Sequence, residues 1–285
     1  MIEVLSGGLY TSIQDLGRFG FRRNGVPLSG VMDGYSARLA NRLVGNSKQE
    51  AVMEVTHIGP VLHFKNRTEI AITGAGFTPT LNDVEVSLNT RTYVPENSIL
   101  KFGIPDYGLR SYLSVFGGFN TEKKLGSYSQ YFRITKKETI EKGDLLAIGS
   151  YEGKLNKTTA SVKISRDYFS SNRIEVFIGP DYHLLSKTAQ KNVLETRVTV
   201  SSESNRMAYI LKGWERFSAK EIITAPVQPG TVQLTPSGQC FVLMRDAQTT
   251  GGYSRVLQLT ESAINMMSQK QAGTSLQFKL VDQPI

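Results

Sequence analysis

The sequence predicts a mostly β protein of the barrel or sandwich type, organised as two domains. Three observations point there. Its 285 residues exceed one typical domain of roughly 100–200 residues. Short runs rich in β-branched and aromatic residues recur between Gly, Pro, Asn and Asp: RTEIAIT at 67–73, VEVSLN at 84–89, YLSVFGG at 112–118, RIEVFIG at 173–179 and CFVLMRD at 240–246. The polar stretch SYEGKLNKTTAS at 150–161 lacks apolar periodicity and divides the chain nearly in half. Domains are therefore expected at 1–155 and 156–285, with strands free to cross the boundary. EVTHIGP at 54–60 faintly echoes EVFIGP at 175–180, too short a match to decide for or against internal duplication.

A few short helices interrupt this pattern. In YSARLANRLVG the 100° wheel places Tyr35, Leu39, Ala40, Leu43 and Val44 on one half and Arg38, Asn41 and Arg42 on the other. Asp33 is placed to cap the start, and Gly45-Asn46 to stop the helix. Asn41 is then a solvent-facing amide. Weaker helical candidates lie at 182–193 and 261–271.

Composition narrows the functional classes. Hydrophobic residues make up 40% and charged residues 20%, near the soluble average, and no window approaches the roughly 20 unbroken apolar residues of a membrane span. The N-terminal MIEVLSGG lacks a secretory pattern, and one cysteine, Cys240, cannot form an intramolecular disulfide. A reducing cytoplasm is expected. The net charge of +8 is scattered rather than striped, with no ribonucleoprotein motif or zinc finger beside it, so it favours small anions or an acidic partner over nucleic acid.

Common catalytic signatures are missing. There is no G-x-x-x-x-G-K-[ST], no G-x-S-x-G and no G-x-G-x-x-G opening a helix after a strand. His57, His63 and His183 lack metal-ligand spacing.

Two segments carry more polar chemistry than folding requires. In the first, Gln14, Asp15 and Arg18 fall within one turn, with Arg22 and Arg23 following. A guanidinium fork suits a carboxylate or phosphate, and Asp15 can orient such an arginine or a substrate N–H; a surface Asp–Arg pair is the plainer alternative. The second segment is RDAQTTGGYSRV at 245–256. Gly251-Gly252 permits close backbone approach to a ligand, while Asp246, Gln248, Thr249 and Thr250 offer hydrogen-bonding groups. It reads either as a polar hairpin turn or as a barrel-rim loop.

Taken together, QDLGRFGFRRNGVPLSGVMD…ANRLVGN, AVMEVTHIGP, AITGAG, RSYLSVFGG, LGS, SNRMAYILKG, PGTVQL and DAQTTGGY resemble the family called allophanate hydrolase subunit 2, or the biotin-dependent carboxyltransferase family, across nearly the whole chain and in order. The resemblance implies a mostly β fold of two cyclophilin-like β-barrel domains with a few short helices. Departures occur at turns. The family's Gly-Ser-Arg-Ser-Thr run is Gly126, Ser127, Tyr128, Ser129, Gln130 here; its Arg-Met-Gly-Tyr-Arg run is Arg206, Met207, Ala208, Tyr209, Ile210; and the C-terminal run carries Ala247 and Ser254. Two family arginines are thus absent.

The family includes components of ATP-dependent 5-oxoprolinase, an antagonist of a histidine-kinase inhibitor, and the carboxyltransferase part of urea carboxylase. A free-standing chain of this length is most similar to the 5-oxoprolinase type, in its C-type component. The resemblance then implies ATP with magnesium, no bound biotin, and two partners: a kinase-inhibitor-like B-type component and an A-type component. It further implies Asp15, Arg18, Arg206 and Asp246 as catalytic candidates. Gln14, Asn205, Ser127, Gln248, Thr249, Thr250, Gly251, Gly252 and Tyr253 are the binding candidates. The alternatives are a non-catalytic module that binds a kinase-inhibitor-like protein, and a carboxyltransferase acting on a small amide with carboxybiotin.

Overall fold

Alternation of apolar and polar residues sets the strand segments into sheets that, among the described residues, are antiparallel at all but one pairing. The computed structural model describes residues 1–153, 162–214 and 221–282. It is mostly β, and it divides into two compact units, Met1–Arg18 with Ser29–Phe169 and Phe19–Leu28 with Ser170–Ile285. The candidate linker at 150–161 lies, from residue 154 onward, outside the described residues.

In the N-terminal unit, five antiparallel strands run in the order Tyr10–Gln14, Val52–Thr56, Arg110–Val115, Thr68–Gly74, Arg91–Val94. A six-stranded antiparallel sheet is ordered Leu145–Leu146, Ile2–Ser6, Val61–Phe64, Ser98–Lys101, Thr80–Leu81, Val84–Glu85. Because side chains alternate along a strand, Ile13, Met53, Val55, Ile70, Ile72 and Leu113 of the first sheet meet Ile2, Val4, Leu62, Phe64 and Leu100 of the second in one core. The expected strand at 84–89 is only Val84–Glu85, both exposed at the sheet edge.

The helix Gly34–Leu43 covers the other face of the five-stranded sheet, where Ala37 and Ala40 pack with Val31, Val52 and Tyr112. That is why Thr68–Gly74 is buried along its whole length. Asp33 caps the helix, accepting from the Tyr35 and Ser36 amides at 3.1 and 3.0 Å. The buried face differs from the wheel's. Asn41, expected toward solvent, is 1% exposed, donating to the Glu50 carbonyl at 2.8 Å and accepting from Ser114 Oγ at 2.6 Å. Tyr35, expected inside, is 46% exposed. Close helix–sheet approach selects the small Ala37 and Ala40 for the contact line, and the buried amide is tolerated because its hydrogen bonds are made. Asn46 also does more than stop the helix: its amide donates to the Val115 carbonyl at 2.7 Å and accepts from Gly117 N at 2.9 Å.

In the C-terminal unit seven strands close into a barrel ordered Arg173–Ile178, Ser254–Leu259, Thr231–Leu234, Cys240–Leu243, Ala208–Lys212, Val198–Val200, Ser275–Leu280. Directions cannot alternate fully around a ring of seven, so one neighbouring pair must be parallel. It is Arg173–Ile178 with Ser275–Leu280, where Ile174 faces Phe278. Closure leaves this sheet without an open edge. Ile174, Val176, Val232, Leu234, Val242, Val256 and Leu276 are among its buried apolar residues. The expected helix at 182–193 is a short 3-10 turn, Tyr182–Leu184, followed by Lys187–Glu195, which Ser186 caps. The one expected at 261–271 is Glu261–Met267, capped by Thr260. No helix among the described residues is long and apolar enough to cross a membrane.

Candidate functional site

In the N-terminal unit the strand Tyr10–Gln14 delivers its last residues to the turn at 127–130. Asp15 is the hub. Its Oδ1 accepts from Ser127 Oγ at 2.6 Å, Ser129 Oγ at 2.8 Å and Gly17 N at 2.8 Å, and its Oδ2 from Tyr128 N at 2.7 Å. The Gln14 amide nitrogen donates to Ser12 Oγ at 2.9 Å and to the Gln130 carbonyl at 3.1 Å. Arg18, fully buried, donates to the Ser129 carbonyl. Four candidates, Gln14, Asp15, Arg18 and Ser127, are thus assembled around one turn. Ser129 joins them, and its serine type alone gave no cue. At Tyr128, where the family carries an arginine, the Lys123 ammonium lies 5.0 Å from the ring centroid, a cation–π distance.

The C-terminal unit arranges its candidates in two tiers. Arg206 and Asp246, 6% and 7% exposed, form a forked pair: Nε donates to Oδ2 at 2.7 Å and Nη2 to Oδ1 at 3.3 Å. Asp246 N also donates to the Arg206 carbonyl at 3.0 Å, and Met244 N to the Met207 carbonyl at 2.9 Å. Asn205 accepts from Met207 N and Ala208 N at 2.8 and 3.2 Å, fixing the approach to the strand Ala208–Lys212. These contacts hold the segment that leaves Cys240–Leu243, and it does continue as a loop at the barrel's end. Downstream, Thr250–Gly251 pairs with Ala225–Pro226. A Cβ at Gly251 would lie 2.8 Å from Gln233 Nε2, so the end of that side chain would have to shift to admit one. Tyr253 is 40% exposed, and its carbonyl accepts from Gln233.

Next to that loop lies an open cleft of about 670 Å³, to which Thr249 and Thr250 contribute. Its other polar groups were not singled out as site residues from sequence: Arg255, Thr231, Gln228 and Gln258, together with Arg22 and Arg23. Arg206, Asp246, Asn205, Gln248, Gly251, Gly252 and Tyr253 do not line it. Arg255 is held by Asp181, with Nε–Oδ2 at 2.8 Å and Nη2–Oδ1 at 3.4 Å. Burial works against the Asp181 charge, but the hydrogen bonds and charge of Arg255 outweigh it and leave the carboxyl below its ordinary pKa. Arg22 donates to the Val227 carbonyl. The sequence did offer one signal for Arg255: it stands two residues beyond Tyr253 in the same run.

Among the described residues no group of three or more His, Cys, Asp or Glu side chains is placed to hold a metal ion. His63 pairs with Glu3 at 3.5 Å, and His183 Nδ1 lies 2.9 Å from the Pro180 carbonyl. Cys240 is buried, which raises its thiol pKa.

Comparison with known proteins agrees with this architecture. The family described as "Carboxyltransferase domain, subdomain A and B" matches residues 24–280. The chain is 33% identical to the C-type component of 5-oxoprolinase from Escherichia coli (strain K12), covering 98% of this chain and 90% of that protein. It is 31% identical to the corresponding 5-oxoprolinase component of Haemophilus influenzae, over 99% and 91%. The crystal structure of the K. lactis urea amidolyase superposes with a TM-score of 0.88 at 28% identity, covering 99% of this chain and 19% of that one. The chain belongs to the carboxyltransferase-domain A and B family, the allophanate hydrolase subunit 2 family.

Proposed function

We propose that this chain is the C-type component of an ATP-dependent 5-oxoprolinase, which opens the lactam of 5-oxo-L-proline to give L-glutamate. The observation that carries the reading is the end-to-end match to two 5-oxoprolinase components of this type, with 90% or more of each relative covered.

A lactam carbonyl is a poor electrophile because nitrogen donates into it. In the proposed reaction the carbonyl oxygen attacks the γ-phosphorus of ATP; an O–P bond forms, the bond from γ-phosphorus to the bridging oxygen breaks, and ADP leaves. Water then adds to the activated carbon and the ring C–N bond breaks as nitrogen takes a proton, leaving an acyl phosphate. A second water adds to that acyl carbon, and phosphate departs with the former carbonyl oxygen, leaving the carboxylate of L-glutamate. The protein's part is to place the two substrates and neutralise oxyanion charge. Threonine hydroxyls at 249 and 250 bind substrate. Asp15 and Asp246 act by position: one fixes the turn at 127–130, the other anchors Arg206 and the loop that carries Thr249. Arg18 and Arg206 contribute positive potential from buried, anchored positions. Magnesium would arrive with ATP, and no step is assigned to it.

The reaction is tested by mixing the chain with its B-type and A-type partners and measuring glutamate released with ATP and 5-oxoproline. Omission of this chain should abolish release; unchanged release overturns the assignment. The K. lactis urea amidolyase superposition favours a second reading, carboxyl transfer from carboxybiotin to a small amide. Biotin-dependent consumption of the amide in place of glutamate release would select it.

A further inference from the structure

We propose that the cleft bordered by Arg22, Arg23 and Arg255 in the C-terminal unit is a binding site for the oxyanion end, carboxylate or phosphate, of a small molecule. Among the described residues, three guanidiniums open onto one concavity and no carboxylate lines it. Asp181 compensates Arg255 from behind, which leaves a local excess of about two positive charges.

Such an excess repels itself, and a concave wall concentrates its field. The cost is met when an anion enters. Two of the three arginines are already fixed, Arg255 by Asp181 and the Pro226 carbonyl, Arg22 by the Val227 carbonyl. Little side-chain entropy remains for those two to lose on binding. Arg23 is exposed and, among the described residues, makes no hydrogen bond or ion pair, so its fork is available for a bidentate contact. Thr249 and Thr250 add neutral hydroxyls, and the apolar Val227 and Leu257 offer surface for a non-polar ligand body.

The site does not depend on which reaction the assembled enzyme performs; only the choice of probes draws on that reading. The full-length chain is titrated by calorimetry with inorganic triphosphate, ATP and 5-oxo-L-proline, at low and high salt. At least one probe should bind, more weakly as salt rises. Binding by triphosphate and ATP alone assigns the site to phosphate, and by 5-oxoproline alone to carboxylate. Arg23→Ala should weaken the bound probe about tenfold, the loss of one charge-assisted hydrogen bond, and Arg23→Glu should weaken it further. Both variants should unfold at the wild-type urea midpoint. Failure of all three probes to bind at millimolar concentration overturns the proposal, as does an affinity unchanged by Arg23→Glu. Neither failure touches the glutamate-release assay, so the site and the reaction stand or fall separately.

Discussion

Arg206 Nε and Asp246 Oδ2 lie 2.7 Å apart, closing a bond between the start of one barrel strand and the loop that follows its neighbour. Both side chains are more than nine-tenths buried. Removing one partner strands the other charge away from water, at a cost of about 3–5 kcal/mol. Asp246→Ala and Arg206→Ala should therefore each lower the urea midpoint strongly, and the double variant should lose clearly less than the two losses added. Additive losses would show that the pair is not coupled.

Asp15 makes a comparable claim on the N-terminal unit. Its carboxylate accepts two hydroxyl and two amide protons, and Asp15→Ala leaves all four without it. We expect a loss of about 3 kcal/mol and faster hydrogen exchange at the Tyr128 amide. Asp15→Asn, which keeps one acceptor oxygen, should fall between. If Tyr128 exchange is unchanged in Asp15→Ala, the turn is held by other means.

What the sequence disclosed follows the range of the interactions. Asp33 was legible as a cap because its partners are two and three residues away. Asn41 was misread because its partners, Glu50 and Ser114, come from outside the helix, and a helical wheel carries no information on them. The strand runs were legible from alternation, whereas the parallel seam that closes the barrel joins residues about a hundred positions apart and leaves no local mark. The cleft shows the same limit. Arg22 and Arg23 sit beside Asp15 and Arg18 in sequence, yet residues 19–28 belong to the C-terminal unit, and Arg255 is oriented by Asp181, 74 residues away.

Gly30 tests how closely the Asp15 turn is packed. It has φ of 88°, and a Cβ there would meet Gly17 N at 2.8 Å and the Leu16 carbonyl carbon at 2.9 Å. The next residue donates its amide to the Asp15 carbonyl at 2.9 Å, so any shift is felt at the hub. Left-handed strain costs about 1–2 kcal/mol, and the backbone clash adds to it. Gly30→Ala should thus destabilise the chain by at least about 2 kcal/mol and raise Tyr128 exchange as Asp15→Ala does. A wild-type urea midpoint would show that the turn can open around a methyl group.

Lys270 supplies a pH-dependent prediction with a defined sign. Its side chain is 3% exposed and its ammonium donates to the Ser171 carbonyl at 2.6 Å, and burial lowers its pKa from 10.5 to about 8. The unfolded chain therefore binds more protons than the folded one between about pH 8 and the ordinary lysine value. Stability from this residue is complete above the unfolded pKa and is lost as pH falls through that window to the folded pKa, below which the deficit is constant. At 1.36 kcal/mol per unit the deficit reaches up to about 3 kcal/mol, less wherever water reaches the ammonium. Lys270→Met removes the titration while keeping much of the apolar stem. Relative to wild type, the variant should be more stable at pH 7 than at pH 10.5, compared through urea midpoints at the two values. Tyrosines and other lysines titrate in both proteins, so the difference isolates Lys270. A wild-type-to-variant difference that is flat from pH 7 to 10.5 would mean that Lys270 titrates as it does in the unfolded chain.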